Sequence, residues 1–293
     1  MTDTKGNALQ ERLRGNAPAT THEQPATLSA VLAQMKPQFE KALPQHIAAE
    51  RFLRLALTAV KTTPALANCT QTSFLAALMV SAQCGLEPNT PLGEAYLIPY
   101  KNKNKNITEA QFQIGYKGML AMAHRTKEYH WISARPVYAK DMFEYSYGLD
   151  PKLTHVPADE PEGEPIYYYA AYRSVNGGGD FRVWSRKKIL AHAKKFSPSV
   201  KAGQKSPWDT NFDQMAMKTV LKDLLSYAPK TIEFARNLAM DETIRHEVAD
   251  DMSTVPAEFA DAVDAEFEYN DGEAPPETEQ KDAAEVPGAR EFA

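Results

Sequence analysis

Residues 166–185 read IYYYAAYRSVNGGGDFRVWS, two runs rich in aromatic and β-branched residues on either side of the turn NGGG. Such runs favour β-strands, and glycine supplies the positive φ that a tight antiparallel turn requires. The stretch therefore predicts a β-hairpin. Upstream, AYLIPY (95–100) and AQFQIGY (110–116) flank the polar tip KNKNKN and predict another hairpin. Further strands are expected around residues 131–137 and 142–147.

Helical patterns surround these strands. Upstream, a helix is expected to begin at Ser73 and to end at Gly85. Downstream, Ser185 is placed to cap a helix that ends near Phe196, and a long helix is expected over about 209–227. Because helices and antiparallel strands come in separate blocks, the sequence predicts an α+β fold. In it, a helical N-terminal part precedes antiparallel hairpins packed with helices.

Composition limits the class of protein. The chain has 293 residues, of which 43% are hydrophobic and 24% charged, and these values are ordinary for a folded protein. The longest apolar run, around residues 74–80, is far shorter than the roughly 20 residues that a membrane span needs, and the N-terminus has no apolar signal region. Cys69 and Cys84 are too few for a disulfide framework. We therefore expect a cytoplasmic protein without a membrane segment.

Charge is distributed unevenly along the chain. Residues 241–293 carry 17 acidic and three basic side chains, a net −14, whereas residues 1–240 carry 30 basic and 21 acidic ones, a net +9. We expect residues 1–26 to form a disordered arm, residues 27–240 a folded core, and residues 241–293 a largely disordered acidic tail. Within the core, residues 173–236 carry a net +8, which would attract a polyanion.

Motifs for covalent chemistry are missing from the sequence. It contains no GxGxxG, no complete phosphate-binding loop, no HExxH and no GxSxG. Asp141 with Glu144, or Asp209 with Asp213, could supply two carboxylates to a metal, but no third ligand is visible, and we interpret them as exposed helix and loop carboxylates. We therefore expect no catalytic residue, no metal, no cofactor and no use of ATP.

The helix after Ser185 has two different faces. At 100° per residue, Ile189, Ala193 and Phe196 share one side, which predicts packing against the core. The other side carries two stripes of lysine, formed by Lys187 with Lys194 and by Lys188 with Lys195. No glutamate is interleaved to neutralise these stripes. A cationic binding face is therefore predicted, with a merely solvated face as the alternative.

The following helix is apolar over most of its circumference, but Lys218 and Lys222 interrupt it. A buried helix tolerates such charges where its edge opens to solvent or to an anion, and lysine stems that reach water are the alternative. Trp208, just before this helix, could stack a nucleic-acid base or pack into the core. Lysine and arginine beside aromatic rings are the combination that single-stranded nucleic acid binding uses.

Three stretches carry a further signal: GLEPNTPLGEAYLIPYKNK (85–103), QIGYKGMLAMAHR (113–125), and SRKKI followed by PWDTNFDQMAMKTVLKDLL (within 185–225). Together they resemble the phage RecT family of single-strand annealing proteins, and the similarity extends over about residues 28–240. The resemblance implies a fold distantly similar to Rad52 annealing proteins. It also implies an ATP-independent recombinase that binds single-stranded DNA and anneals complementary strands in homologous recombination, and that carries out no covalent chemistry.

The resemblance further implies partners and a DNA-binding groove. Members form homo-oligomeric rings or helical filaments on single-stranded DNA and the annealed duplex intermediate, beside a partner exonuclease and a host single-strand binding protein. Carried onto this chain, the groove residues are Lys101, Lys103, Lys117, Arg125, Arg135, Arg186, Lys187, Lys188, Lys218 and Lys222. A sequence-independent nucleic-acid binding protein, such as an RNA chaperone, and a metal-dependent nuclease remain as alternatives.

Overall fold

A computed structural model describes residues 27–102, 105–203, 205–242 and 244. The helices are α1 Leu28–Gln34, α2 Lys36–Ala42, α3 Ala49–Thr62, α4 Gln71–Cys84, α5 Tyr116–Thr126, α6 Arg186–Phe196, α7 Pro198–Lys201, α8 Pro207–Thr210, α9 Phe212–Tyr227 and α10 Ile232–Leu238, with a 3₁₀ helix at Pro64–Asn68. The strands are β1 Ala95–Asn102, β2 Ile107–Ile114, β3 Tyr129–Val137, β4 Met142–Ser146, β5 Lys152–Val156, β6 Tyr167–Ser174 and β7 Gly179–Ser185. The described strands pair antiparallel, so the predicted α+β class is confirmed.

Helix α4 lies at the centre of the N-terminal half and is buried around nearly its whole circumference. It begins two residues before the predicted Ser73, because the Thr70 side chain accepts a hydrogen bond from Ser73 N and caps the helix. It ends, as predicted, at Gly85, where φ is +61° and the next amide, Leu86 N, donates to Ser81 O at 3.0 Å. The Ser73 hydroxyl accepts from Ala110 N at 2.9 Å and so fixes the β1–β2 hairpin onto α4.

The three-stranded sheet has the order β3-β6-β7 and is covered on both faces. Alternation along β6 separates the two sides: Tyr168 and Ala170 belong to the main core with α9 and α6, whereas Tyr169 and Ala171 pack against the β4–β5 hairpin. The predicted hairpin at residues 166–185 is thereby confirmed, with Gly177 and Gly178 at positive φ in its turn. Strand β5 was not predicted from the sequence.

The C-terminal helices differ from the prediction in one respect. The expected helix over 209–227 is divided into α8 and α9, because Asn211 lies between them with φ −136° and ψ 46°. Within the described residues, no helix is long and apolar enough to cross a membrane. The predicted arm at 1–26 lies outside the described residues, as does the predicted tail beyond Ile244.

Candidate nucleic-acid interface

Helix α6 presents its lysines as the sequence predicted. Ser185 caps it, accepting from Lys188 N at 3.2 Å. Ile189 is fully buried and Ala193 nearly so, which turns the opposite side with Lys187 and Lys194 to solvent. Neither of these two ammonium groups has an ion-pair partner in the part of the chain that the structure describes. Both side chains therefore lie on the exposed side of α6.

The second lysine stripe lies against aromatic rings. The Nζ of Lys188 is 3.7 Å from the centre of the Trp184 ring, and the Nζ of Lys195 is 5.1 Å from that of Phe196. The prediction that Phe196 packs in the core is wrong, since this residue is 59% exposed. Phe196 is the last residue of α6, and the buried side of the helix ends one turn earlier, at Ala193. The Phe196 ring therefore lies on the protein surface.

Arg186, which was predicted to line a DNA groove, is already engaged within the chain. Its guanidinium donates to Glu164 at 2.5 Å and to the Tyr168 hydroxyl at 3.2 Å. It also lies 4.2 Å from the centre of the Phe212 ring and keeps a side-chain exposure of 23%. Arg186 therefore joins α6 to the sheet and to α9, and its charge is largely neutralised by the chain itself.

Lys218 and Lys222 of α9 form an ionic cluster with Asp241 and Glu242, defined here as the tail-junction cluster. Lys218 Nζ lies 3.2 Å from Asp241 Oδ1 and 2.9 Å from Glu242 Oε1, and Lys222 Nζ lies 3.1 Å from Asp241 Oδ2. Asp241 Oδ1 also accepts from Ile114 N at 2.8 Å. The anion that the buried helix edge requires therefore comes from the chain itself.

Electrostatics in this cluster follow from its geometry. The positive charge of Lys218, with that of Lys222, lowers the pKa of Glu242 well below its usual range. Burial alone would lower the pKa of Lys222, but Asp241 and Glu242 outweigh it and raise that pKa. The prediction of Lys218 as an open groove residue needs correction, because its side chain is only 6% exposed. Lys222 is 49% exposed yet shares the same carboxylates.

Arg125 and Trp208 also have structural contacts that the sequence did not reveal. Arg125 donates to Cys84 O at 2.6 Å and to Gly85 O at 3.1 Å, so it caps the C-terminus of α4. Trp208 is partly buried against the main core, and its ring meets Phe212 edge-on at 5.8 Å. This contact agrees with core packing, one of the two roles that the sequence allows for Trp208.

The other predicted groove residues lie on separate elements. Lys101 is exposed on β1, and Lys117 is exposed in the first turn of α5. Arg135 is exposed on β3 opposite Tyr169, with β6 between it and β7, the strand that leads into α6. Lys103 lies outside the described residues. Arg135 therefore lies at the opposite edge of the sheet from the strand that leads into α6, and it is separate from the α6 lysines.

A cavity of about 690 Å³ opens where the three motif stretches meet. Its lining includes Tyr96 from the first stretch, Tyr116 and Lys117 from the second, and Asn211 and Gln214 from the third. Its volume lies within the range of small-ligand sites, and its lining offers aromatic rings, amides and one exposed ammonium. Segments far apart in the sequence therefore build one common concave surface.

The carboxylates considered for metal binding have partners within the fold, and the interpretation of Asp141 as exposed is wrong, because its side chain is only 2% exposed. Asp141 accepts from Tyr138 N at 2.7 Å, Ala158 N at 2.9 Å and His155 Nε2 at 3.0 Å. Burial raises the pKa of Asp141, but these hydrogen bonds outweigh it and lower that pKa. Asp209 and Asp213 bond to Ser206 and Tyr168. Over the described residues, no group of three or more metal-ligating side chains occurs.

A line of paired rings and cations, of which the sequence indicated only the neighbours Arg182 and Trp184, is defined here as the ring–cation row. It consists of Tyr227, Arg182, Trp184, Lys188, His192, Phe196 and Lys195. Arg182 lies 4.7 Å from the centre of the Tyr227 ring, and His192 contacts both Trp184 and Phe196 with ring centres 5.4 and 4.6 Å apart. The i, i+4 spacing of residues 188, 192 and 196 was the available signal.

Comparison with known proteins gives one consistent relationship. The model of the RecT family matches residues 50–256. The chain is 39% identical to Protein RecT of Escherichia coli (strain K12) over 236 residues, which cover 80% of this chain and 86% of that protein. It is 28% identical to the uncharacterized protein YqaK of Bacillus subtilis (strain 168) over 94% of this chain and 91% of that protein. The chain therefore belongs to the RecT family.

Proposed function

We propose that this protein binds single-stranded DNA without reading its sequence and anneals complementary strands without ATP. The observation that carries the proposal is the outward face of α6, where Lys187 and Lys194 have no carboxylate partner among the described residues. Membership of the RecT family supports a role in DNA recombination and annealing. Both point to a polyanionic ligand.

In the proposed mechanism, the protein binds the phosphates of one strand, and base pairing with the second strand supplies the sequence specificity. Lysine ammonium groups bind phosphates, which are the same in every nucleotide, so a strand is held without sequence preference. Base edges then remain open to a second strand, and Watson–Crick pairing supplies the specificity. No bond of either strand is made or broken. The α6 lysines are the proposed primary contacts, and Lys101, Lys117 and Arg135 are proposed as further phosphate contacts from other elements.

Several partners belong to the same proposal. The folded core at residues 27–240 is proposed to assemble with further copies into a ring or filament along DNA, in the cytoplasm. A partner exonuclease would supply single strands, and a host single-strand binding protein would share them. The predicted tail begins too early at residue 241, because Asp241 and Glu242 belong to the tail-junction cluster. The acidic segment beyond Ile244 is proposed to form a solvated tail.

A binding titration distinguishes the proposed ligand from the alternatives. Labelled single-stranded DNA, duplex DNA and single-stranded RNA of equal length are titrated with the full chain at several salt concentrations, with and without Mg²⁺ and a chelator. We expect the protein to bind single-stranded DNA with an affinity that falls as salt rises. We also expect every nucleic acid to keep its full length on a denaturing gel. Preferential binding of RNA, or shortening of the DNA that a chelator abolishes, would contradict the proposal.

A further inference from the structure

We propose that the ring–cation row is a stacking site for the bases of single-stranded DNA, with Phe196 and Tyr227 as its contact rings. The inference rests on the proposed function and adds to it a surface that binds bases. It predicts that this protein recognises the aromatic character of unpaired bases, and not only the charge of their phosphates.

The row is continuous across three elements. Arg182 and Trp184 are two residues apart on β7 and therefore lie on the same face of that strand. Each contacts α9, since Trp184 Nε1 donates to Asp223 at 2.9 Å and Arg182 lies over Tyr227, four residues further along α9. From Trp184 the row continues along one side of α6 through Lys188 to His192 and Phe196.

Exposure identifies the rings that are open to a ligand. Tyr227 is 71% exposed and Phe196 59% exposed, whereas Trp184 is partly buried and packed against the core. Burial lowers the pKa of His192 and so favours its neutral ring, which adds aromatic surface to the row. A large exposed aromatic ring is unfavourable in water, and a base that stacks on it removes apolar area from solvent.

Charge in the row suits a nucleic acid strand. Each of the three rings Tyr227, Trp184 and Phe196 has a cation within 5.1 Å of its centre. Arg182, beside Tyr227, also pairs with Asp180 at 2.8 Å, whereas Lys188 and Lys195 have no carboxylate partner among the described residues. A base stacked on an exposed ring would bring its phosphate near such a cation. Flat rings beside cations give sequence-tolerant binding of single strands, because every base has a π-face. The row therefore favours a single strand over a duplex, whose bases are already stacked.

An abasic strand tests the inference, because it keeps the phosphates and lacks the bases. The full chain and its Phe196→Ala variant are titrated with a thymidine homopolymer and with an abasic oligodeoxynucleotide of the same length. We expect Phe196→Ala to weaken thymidine binding by about fivefold or more, with the abasic affinity and the salt slope unchanged. Phe196→Trp keeps a ring and should retain wild-type affinity.

Controls separate stacking from other causes. Met142→Ala removes a similarly exposed apolar side chain from β4, a different element, and should bind as the wild type does. Tyr227→Ala, on another element, should reproduce the thymidine-specific loss if Phe196→Ala melts early. Equal weakening for both oligonucleotides, or no weakening in either ring variant, would overturn the inference. A wild-type chain that binds both oligonucleotides equally well would also overturn it while leaving the proposed function intact; one that binds neither would overturn both.

Discussion

Lys218 Nζ lies 3.2 Å from Asp241 Oδ1, and the two side chains are 6% and 0% exposed. The pair joins the middle of α9 to the residue with which the acidic segment begins. Because Asp241 also accepts from Ile114 N at the end of β2, three parts of the chain meet at one carboxylate. The Lys218 ammonium is therefore held between Asp241 and Glu242 within the fold.

Replacing Lys218 with methionine should destabilise the protein without changing how its DNA affinity depends on salt. The variant leaves the buried Asp241 carboxylate with Lys222 as its remaining cation, so the cost should fall below the about 3–5 kcal/mol of a buried pair that is broken completely, at roughly 2–3 kcal/mol. We expect a decrease of that order in the free energy of unfolding, measured by urea denaturation. At a temperature where the variant is folded, the salt slope of DNA binding should equal that of the wild type.

Lys222→Met is the matched comparison on the same helix. Lys222 contacts the same two carboxylates but is 49% exposed, so its removal should cost about 1 kcal/mol or less. Equal stability of the Lys218 variant and the wild type would show that Lys218 does not stabilise the fold, and a flattened salt slope in that variant would show that Lys218 neutralises a phosphate.

The double variant Lys187→Ala/Lys194→Ala should weaken DNA binding and leave stability unchanged. Both lysines face away from Ile189, and exposed substitutions of this kind usually change the free energy of unfolding by within about 0.5 kcal/mol. For single strands, the log–log dependence of affinity on salt should flatten by about 0.7 for each phosphate that the variant no longer neutralises. Fluorescence anisotropy across a salt series measures both affinity and slope.

Lys41→Ala/Lys61→Ala removes the same charge from α2 and α3 and serves as the control. If both double variants change affinity and slope equally, net charge governs binding. In that case α6 has no special role.

The Asp141 carboxylate should make stability depend on pH. Its pKa is lowered in the folded state, so its contribution is complete above the unfolded value of about 3.9 and disappears as pH falls through the folded value. Asp141→Asn should destabilise the protein by about 1–3 kcal/mol at pH 7, because two backbone amides and His155 no longer have a charged acceptor. Urea denaturation at pH 7 and at about pH 3.5 should show the difference shrinking at the lower pH. A constant difference would contradict this assignment.

Deleting residues 253–293 should raise the affinity for single-stranded DNA. The segment carries 12 acidic and two basic residues, and its negative charge repels or competes with phosphate. The gain should be largest at low salt, where screening is weakest. Anisotropy titrations of both chains at two salt concentrations measure it, and an unchanged affinity at low salt would assign the tail to another role.

Local signals predicted the fold well. Gly85 ended α4, Ser185 began α6, and the NGGG turn joined β6 to β7, because each depends on residues adjacent in sequence. Strand β5 was not predicted, because its residues are mostly exposed and show no strong alternation of apolar and polar residues. The break at Asn211 was likewise not predicted.

The candidate site was only partly predictable. Helical periodicity alone predicts that the α6 lysines Lys187 and Lys194 face outward. The ion pair of Lys218 was not predictable in this way, because its partner Asp241 lies 23 residues away in the sequence. The exposure of Phe196 depends on where the core ends relative to the helix, and a helical projection does not contain that information. The convergence of the three motif stretches on one cavity is likewise a property of the folded chain.

Annealing in the absence of nucleotide tests the central claim most directly. Two complementary oligonucleotides carrying a donor and an acceptor fluorophore are mixed with the purified full chain in a buffer that contains no ATP. The account predicts that the chain accelerates pairing severalfold over the spontaneous rate, and that the Lys187→Ala/Lys194→Ala variant does so less. Acceleration that appears only when ATP is added, or binding without any acceleration, would contradict the account.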